Sequence, residues 1–394
     1  MQRRTSTARP DWQKTIESQG LVYWRTDLPS GETISYWDEE HHYVLRMDEV
    51  LEMERVAREL MQLLVAAGDH VIEHNLFAKM GIPEFAAARI RETWESEPPM
   101  LYGRFDFAYA TGDLKLLEYN ADTPTCLVET AVQWHWMREV FGDEADQWNR
   151  VHEALIERWT ELREGLRIPD GEAHFMHSHA ERSGEDFMTT AYLLHTAREA
   201  GLKTTLLPIE ELGLLPDEGF VDHEGHAVKT AFKLYPWEWM LEQEFAGPAI
   251  ERMGVGPGKT QWIEPIWKLL WANKGILPIL WELNPGHPNL LPAWFAGEEP
   301  KDLASYVTKP IFAREGANTT IVIDGEVVET GPDEQYGSEG YVIQEYVDLG
   351  NYGGSRPVLG VWTVDMEPQG LGIRESTGYI TNNQSRFVPH IIEG

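Results

Sequence analysis

One cysteine stands in the 394 residues, Cys126, so the chain can form no disulfide within itself and is expected in a reducing compartment. Positive charge is scarce too. Lysine and arginine number 33 against 65 aspartates and glutamates, a formal net charge of −32 that repels phosphate backbones and anionic lipid and argues against a nucleic-acid partner. The same sign suits polyamines and other cations, and it also serves solubility alone. No run approaches 18 apolar residues, and no apolar stretch follows the arginines of "MQRRTSTARPDW", so a cytoplasmic protein with no membrane partner is expected. Internal repeats and low-complexity tracts are missing as well. What is present is an ordinary globular balance, 42% hydrophobic and 25% charged, long enough for two or three domains. Sixteen tryptophans, many in "WHWM", "WEWM" and "WKLLWANKG", suit buried anchors or an aromatic-lined cleft.

Apolar spacing predicts a helix over 48–68, with Asp48 as N-cap and Gly68 near its C-terminus, and further helices over 82–95, 127–141 and 146–166. At 172–178 "EAHFMHS" reads as a strand, followed by a helix at 185–200, the strand "KTTLLPI" and a helix start at "EEL", the rhythm of a small parallel-sheet unit. His174 would face away from His177 and His179 on that strand, which argues against a zinc site there. "GVGPGKT" at 254–260 lacks the first glycine and the preceding strand of a phosphate-binding P-loop and reads as a surface turn. After it the texture turns β-rich, with the strands "YVTKP", "YVIQEYVDL" and "PVLGVWTVD".

The stretch "YGRFDFAYATGDLKLLEYNAD", 102–122, reads as a hairpin around Thr111 to Asp113. Period-2 alternation then sends Phe105, Phe107, Tyr109, Leu117 and Tyr119 to one face and Arg104, Asp106, Glu118 and Asn120 to the other. Asp106 falls opposite Glu118, an arrangement that costs stability unless a cation lies between them. Asp, Glu and Asn are oxygen ligands suited to Mg²⁺, which fills its remaining positions with water and phosphates, so this face suggests a nucleotide; a merely wet surface hairpin is the plainer alternative. Arg104 would put a fixed positive charge beside such a metal. A Mg-nucleotide also needs cations, a glycine loop and an extended segment for the base. Lys274, Lys309, the loop Arg314-Glu315-Gly316-Ala317-Asn318 and the segment from Gln344 to Val347 are the candidates.

The motifs "GRFDF", "LLEYNADTPT", "FKLYPWEWM", "EPIWKLLWANKGILPILWELNPGHPNLL", "KPIFAREGAN" and "SRFVPH" together resemble the synthetase half of the glutathionylspermidine synthetase family, above all its stand-alone acid–amine ligase members. That resemblance covers the chain from about residue 20 to the end. It implies an α/β (α+β) protein with an ATP-grasp-like fold and a preceding small α/β substrate, or pre-ATP-grasp, domain. The expected division is 1–165, a helical region carrying the hairpin; 166–260, the small substrate domain; and 261–394, an ATP-grasp region discontinuous with the first.

The resemblance implies ATP and Mg²⁺ as cofactors, with Asp106, Glu118 and Asn120 holding the metal and Arg104 beside the γ-phosphate. Lys274 and Lys309 would contact the phosphates, the loop with Arg314, Glu315 and Gly316 would close over them with Arg314 in a catalytic role, and Gln344, Glu345, Tyr346 and Val347 would border the adenine. Thr123 and Arg374 would meet the acid substrate, glutathione or another peptide-like acid, while Glu185 and Asp186 would meet the amine. Those two acids also suit a helix N-terminus for its dipole alone. Arg386 stands where a polyamine-specific member has an aspartate, and would favour an amine that carries a carboxylate. The expected activity is ATP-dependent amide formation through an acyl phosphate. A catalytically silent nucleotide binder and a carboxylate-based carbohydrate hydrolase are the alternatives, and the sequence fixes no oligomeric state.

Overall fold

A computed structural model describes residues 1–27, 31–110 and 112–393. Two antiparallel five-stranded sheets dominate it. The first runs in the order Arg386–Phe387, Glu367–Ser376, Arg356–Val364, Tyr102–Ala110 and Asp113–Asn120. The hairpin therefore lies beside a strand from the far end of the chain. The second runs Ala293–Phe295, Tyr341–Glu345, Tyr306–Pro310, Thr320–Ile323 and Glu326–Thr330. A third, four-stranded sheet is parallel, ordered Gln261–Ile263, Thr230–Lys233, Glu172–His177 and Lys203–Pro208. Near the two chain ends, strand His390–Glu393 pairs with His41–Arg46, which also pairs with Gln2–Thr5.

Two apolar clusters hold these layers. One packs Phe105, Phe107 and Tyr119 of the hairpin with Leu60 and Leu64 of helix Met47–Glu73. The other gathers Trp136, Trp159, Phe175 and Phe232 around the parallel sheet. Seven tryptophans are among the largest wholly buried side chains, so the anchoring use dominates, while Trp239 and Trp362 face cavities.

The long helix starts one residue earlier and ends later than its apolar spacing predicts, spanning Met47–Glu73. Its N-cap is Arg46, whose backbone N–H donates to Glu49 Oε2 at 2.9 Å, and Asp48 instead accepts from the Arg46 side chain. Gly68 is thus interior, where a Cβ would lie 2.3 Å from the Trp94 ring. The helix predicted over 146–166 is shorter, Val151–Glu164, because Asp146 forms a bridge with Ile392. "EEL" supplies only a 3-10 turn, Ile209–Glu211.

The hairpin departs from expectation at its loop. Ala110 pairs with Asp113, so the connection is shorter than three residues; its Thr111 lies outside the described residues. One extra residue, Leu117, enters between the pairs Phe107–Leu116 and Asp106–Glu118. This bulge restores the predicted register at the functional end and moves Leu117 from the core face to a cavity wall, with Leu114 and Leu116 in the core instead.

Candidate active site

Arg104 stands opposite Asn120 and Asp106 opposite Glu118. The structure shows what offsets the repulsion. Arg104 grips Asp106 with two parallel bonds, Nε to Oδ1 at 2.6 Å and a terminal nitrogen to Oδ2 at 2.9 Å. Lys274 Nζ lies 3.1 Å from Glu118. Asn120 Nδ2 reaches both acids, 3.0 Å from Asp106 Oδ2 and 3.2 Å from Glu118 Oε1, so the three side chains converge on one point. Burial works to raise the Glu118 carboxyl, but Lys274 and Lys309 outweigh it and hold it at about 2.

Lys309 rises from the facing sheet. Its Nζ donates to the Leu117 carbonyl at 3.0 Å, made available by the bulge, and to Gln344 Oε1 at 2.7 Å. Burial pushes this ammonium down to about 8 against the attraction of Glu118. Gln344 in turn donates to the Leu116 carbonyl at 3.1 Å, so one amide ties the second sheet to the hairpin. Between the sheets lies a cavity of about 210 Å³, bordered by the three converging side chains, both lysines and the segment from Gln344 to Val347. The N–H groups of Glu345 and Tyr346 donate to the Pro292 and Ser305 carbonyls, which fixes the segment along the cavity wall.

The glycine loop seals one side. Arg314 donates to Thr123 Oγ1 at 2.7 Å and to the Thr123 carbonyl at 3.1 Å, while Lys274 holds the Ala313 carbonyl at 2.5 Å. Gly316 has a φ of 71°, and a Cβ there would lie 2.3 Å from Ile380 Cγ2, so a side chain would push the loop off its seat.

A second cavity of about 770 Å³ adjoins the first and shares Thr123, Thr125, Arg314, Glu315 and Arg374 with it. It opens beyond the carboxyl ends of parallel strands, where Ser178 and Leu234 line it, the usual binding edge of such sheets. Glu181, Glu185, Asp186, Glu315 and Glu334 make its wall acidic. Burial first, then Glu129, pushes the Glu185 carboxyl up to about 8. Burial likewise lifts Asp186 to about 6 against the pull of Arg314. Arg374 lies at the border of both cavities with its guanidinium 5.9 Å from the Tyr36 ring and its buried Nε unpartnered.

Arg386 lines neither cavity. It sits exposed on the short edge strand paired to Glu375, with its guanidinium 3.7 Å from Asp38. His174 is buried 3.5 Å from Asp222, apart from the His177–His179 ring pair, so the three do not converge. Missed altogether by sequence reasoning is Glu129, wholly buried and bonded by Tyr36 and Tyr23 at 2.5 and 3.2 Å. Polar atoms of Cys126, Glu129 and Glu185 lie within 4.8 Å of one another. The only signal in the sequence was a lone acid among apolar helix positions.

Two antiparallel sheets closing on a cavity that carries paired acids on one side and a lysine on the other define a nucleotide-clasping fold of the ATP-grasp kind. A "glutathione synthetase like-effector" from Globodera pallida, solved in the apo form, shares it with a TM-score of 0.55 at 12% identity, covering 98% of each chain. The chain belongs to the glutathionylspermidine synthase preATP-grasp family, which it matches over residues 3–393. It is 36% identical over 392 residues to a "Putative acid--amine ligase" of Haemophilus influenzae, covering 97% of each. It is 28% identical over 393 residues to trypanothione synthetase of Crithidia fasciculata and 26% over 377 residues to bifunctional glutathionylspermidine synthetase/amidase of Escherichia coli. Of those two longer proteins the matched region spans 58% and 60%.

Proposed function

We propose that this chain is an ATP-dependent ligase that joins a carboxylic acid to an amine through an acyl phosphate, releasing ADP and phosphate. The observation that carries the reading is the union of two cavities. A space lined by acids, an amide and lysines opens past Thr123 and Arg314 into a larger, mainly acidic space where two further substrates could meet. The names of its relatives point the same way.

Lys274 and Lys309 would hold the nucleotide phosphates, and Gln344 keeps Lys309 aimed at them. The donor set of Asp106, Glu118 and Asn120 fits Mg²⁺, since their side chains already meet and each carries a hard oxygen, Asn120 presenting its Oδ1 once the amide that now donates Nδ2 to both acids turns over. Bound there, Mg²⁺ would neutralise charge on the transferring phosphoryl group. Arg104 would stabilise the same charge from the side, in a site with little water. In the first step a carboxylate oxygen of the acid bonds to the γ-phosphorus and the bond from phosphorus to the ADP oxygen breaks. In the second the amine nitrogen, having lost a proton, bonds to the acyl carbon and phosphate leaves. Glu181 and Glu334, with Asp186 ionised above about pH 6 and Glu185 once a cation draws off its proton, suit an amine bearing further positive charge, and Arg386 lines neither cavity. Glutathione and spermidine are therefore the first pair to assay. The hydrolase alternative needs a protonated acid beside a carboxylate. Glu118 is held at about 2 and could serve only as the carboxylate, while Asp106, though burial pushes its carboxyl up, has both oxygens taken by Arg104 and none free to hand a proton to a sugar oxygen.

The test is an assay of ADP release over acid and amine pairs, with the acid labelled by ¹⁸O in its carboxylate. A productive pair should move one label into the released phosphate. Asp106→Asn, which keeps the side chain's shape, should lower turnover by roughly 10²-fold or more while the fold survives. Turnover near the native rate in that variant removes the metal assignment, and ADP release without label transfer removes the acyl phosphate.

A further inference from the structure

Asp122 directly follows the metal-face strand with Ala121 between, directly precedes Thr123, and is only 1% exposed. Its two carboxylate oxygens are both used. Oδ1 accepts from Lys233 Nζ at 2.8 Å, and Oδ2 accepts from the Trp237 backbone N–H at 2.8 Å. Lys233 is wholly buried on the parallel sheet, gives a further bond to the Tyr235 carbonyl at 2.9 Å, and lies 4.5 Å from the Trp237 ring. Isolated from water, such a pair is a poor source of stability compared with apolar packing of equal volume, but it fixes geometry tightly because each partner is costly to leave unpaired. Burial pushes the Lys233 ammonium down, and the nearby acids only partly restore it.

What this geometry fixes is the seat of Arg314. Trp237 opens the helical turn Trp237–Met240, and the same turn sets Glu238 4.0 Å from Arg314 and the Trp239 ring 5.7 Å beneath its guanidinium. The same guanidinium is also held by Thr123, the neighbour of Asp122. Both jaws that hold the glycine loop are thus bolted to each other by one carboxylate. We propose that Asp122 and Lys233 are positioning residues that lock Thr123 to the Trp237–Met240 turn, so that Arg314 is held across the junction of the two cavities. The proposal rests on the ligase reading for its meaning in turnover, though the lock itself exists in the ligand-free protein.

The experiment measures amide hydrogen exchange over residues 314–319, with and without MgATP, alongside thermal unfolding. Asp122→Asn removes the charge and keeps the shape. Loop amides should then exchange roughly 10-fold faster in the free protein, while MgATP still raises the unfolding midpoint. In an Arg314→Ala background the same substitution should have no further effect on the loop, which a general loosening of the fold would not reproduce. Unchanged loop exchange in Asp122→Asn, or an equal effect in both backgrounds, overturns the lock. Should Asp122→Asn not fold, Lys233→Met removes the other partner of the same lock at similar length, and native loop exchange in that variant is equally decisive. A native chain whose midpoint ignores MgATP sinks the ligase reading instead, and the ligand-free exchange still decides the lock.

Discussion

The proposed phosphate contact of Lys309 ties nucleotide binding to pH. Burial lowers its ammonium to about 8, so it is charged below that value and neutral above it. Phosphate binding needs the charge and should weaken as pH rises through about 8, with the Kd for MgATP growing roughly 10-fold between about pH 7 and pH 9. Lys309→Arg, charged throughout, should flatten that limb. A native Kd that does not change over the window contradicts the assignment. The residues of the hairpin face were legible because a period of 2 is local: Arg104, Asp106, Glu118 and Asn120 needed no knowledge of the rest of the fold. Glu129, Tyr36, Asp122 and Lys233 were not, since each owes its role to partners distant in sequence. Arg386, matched to a substrate position in the sequence, lies on the edge strand beside Asp38 and outside both cavities of the ligand-free protein.

At the scale of elements, helices were legible in kind, the one over 127–141 to the residue, while the ends of the long helix and of the one expected over 146–166 were misplaced. The helix Met47–Glu73 runs through Gly68 because the glycine answers to Trp94 rather than to a cap. Alanine is the better helix former by about 1 kcal/mol, yet its Cβ would overlap the Trp94 ring. Gly68→Ala should therefore destabilise the protein by about 1–3 kcal/mol in urea denaturation. A stabilised variant would show that the ring yields freely and that helix propensity governs the position. The hairpin carries a subtler lesson. Its register at Asp106 and Glu118 follows from a three-residue loop in the sequence reading and from a shorter loop plus a bulge in the structure. Alternation cannot distinguish the two, because one residue moved from loop to strand leaves the far pairs unchanged. The bulge still matters chemically, since it presents the Leu117 carbonyl to Lys309.

Over the whole molecule, an acidic chain concentrates cations where anions must bind. Arg104, Lys274, Lys309, Arg314 and Arg374 all border one cavity in a protein of net charge −32. The adjoining cavity shares Arg314 and Arg374 and adds Arg25, but its acids, Glu181, Glu185, Asp186, Glu315 and Glu334, outnumber them. That division of charge suits a negatively charged nucleotide on one side of Thr123 and a cationic amine on the other. It depends on the return of strand Arg356–Val364 to the hairpin, a pairing that no local pattern announces. The most direct test of the central claim is thermal unfolding of the native chain and Asp106→Asn in ATP with Mg²⁺ and in ATP with a chelator. A ligand that binds only the folded state at 100 times its Kd adds about 2.7 kcal/mol. The account predicts a clear rise in the native midpoint that needs both ATP and Mg²⁺ and is largely lost in Asp106→Asn. An unchanged midpoint at millimolar MgATP, or an equal rise in both proteins, contradicts it.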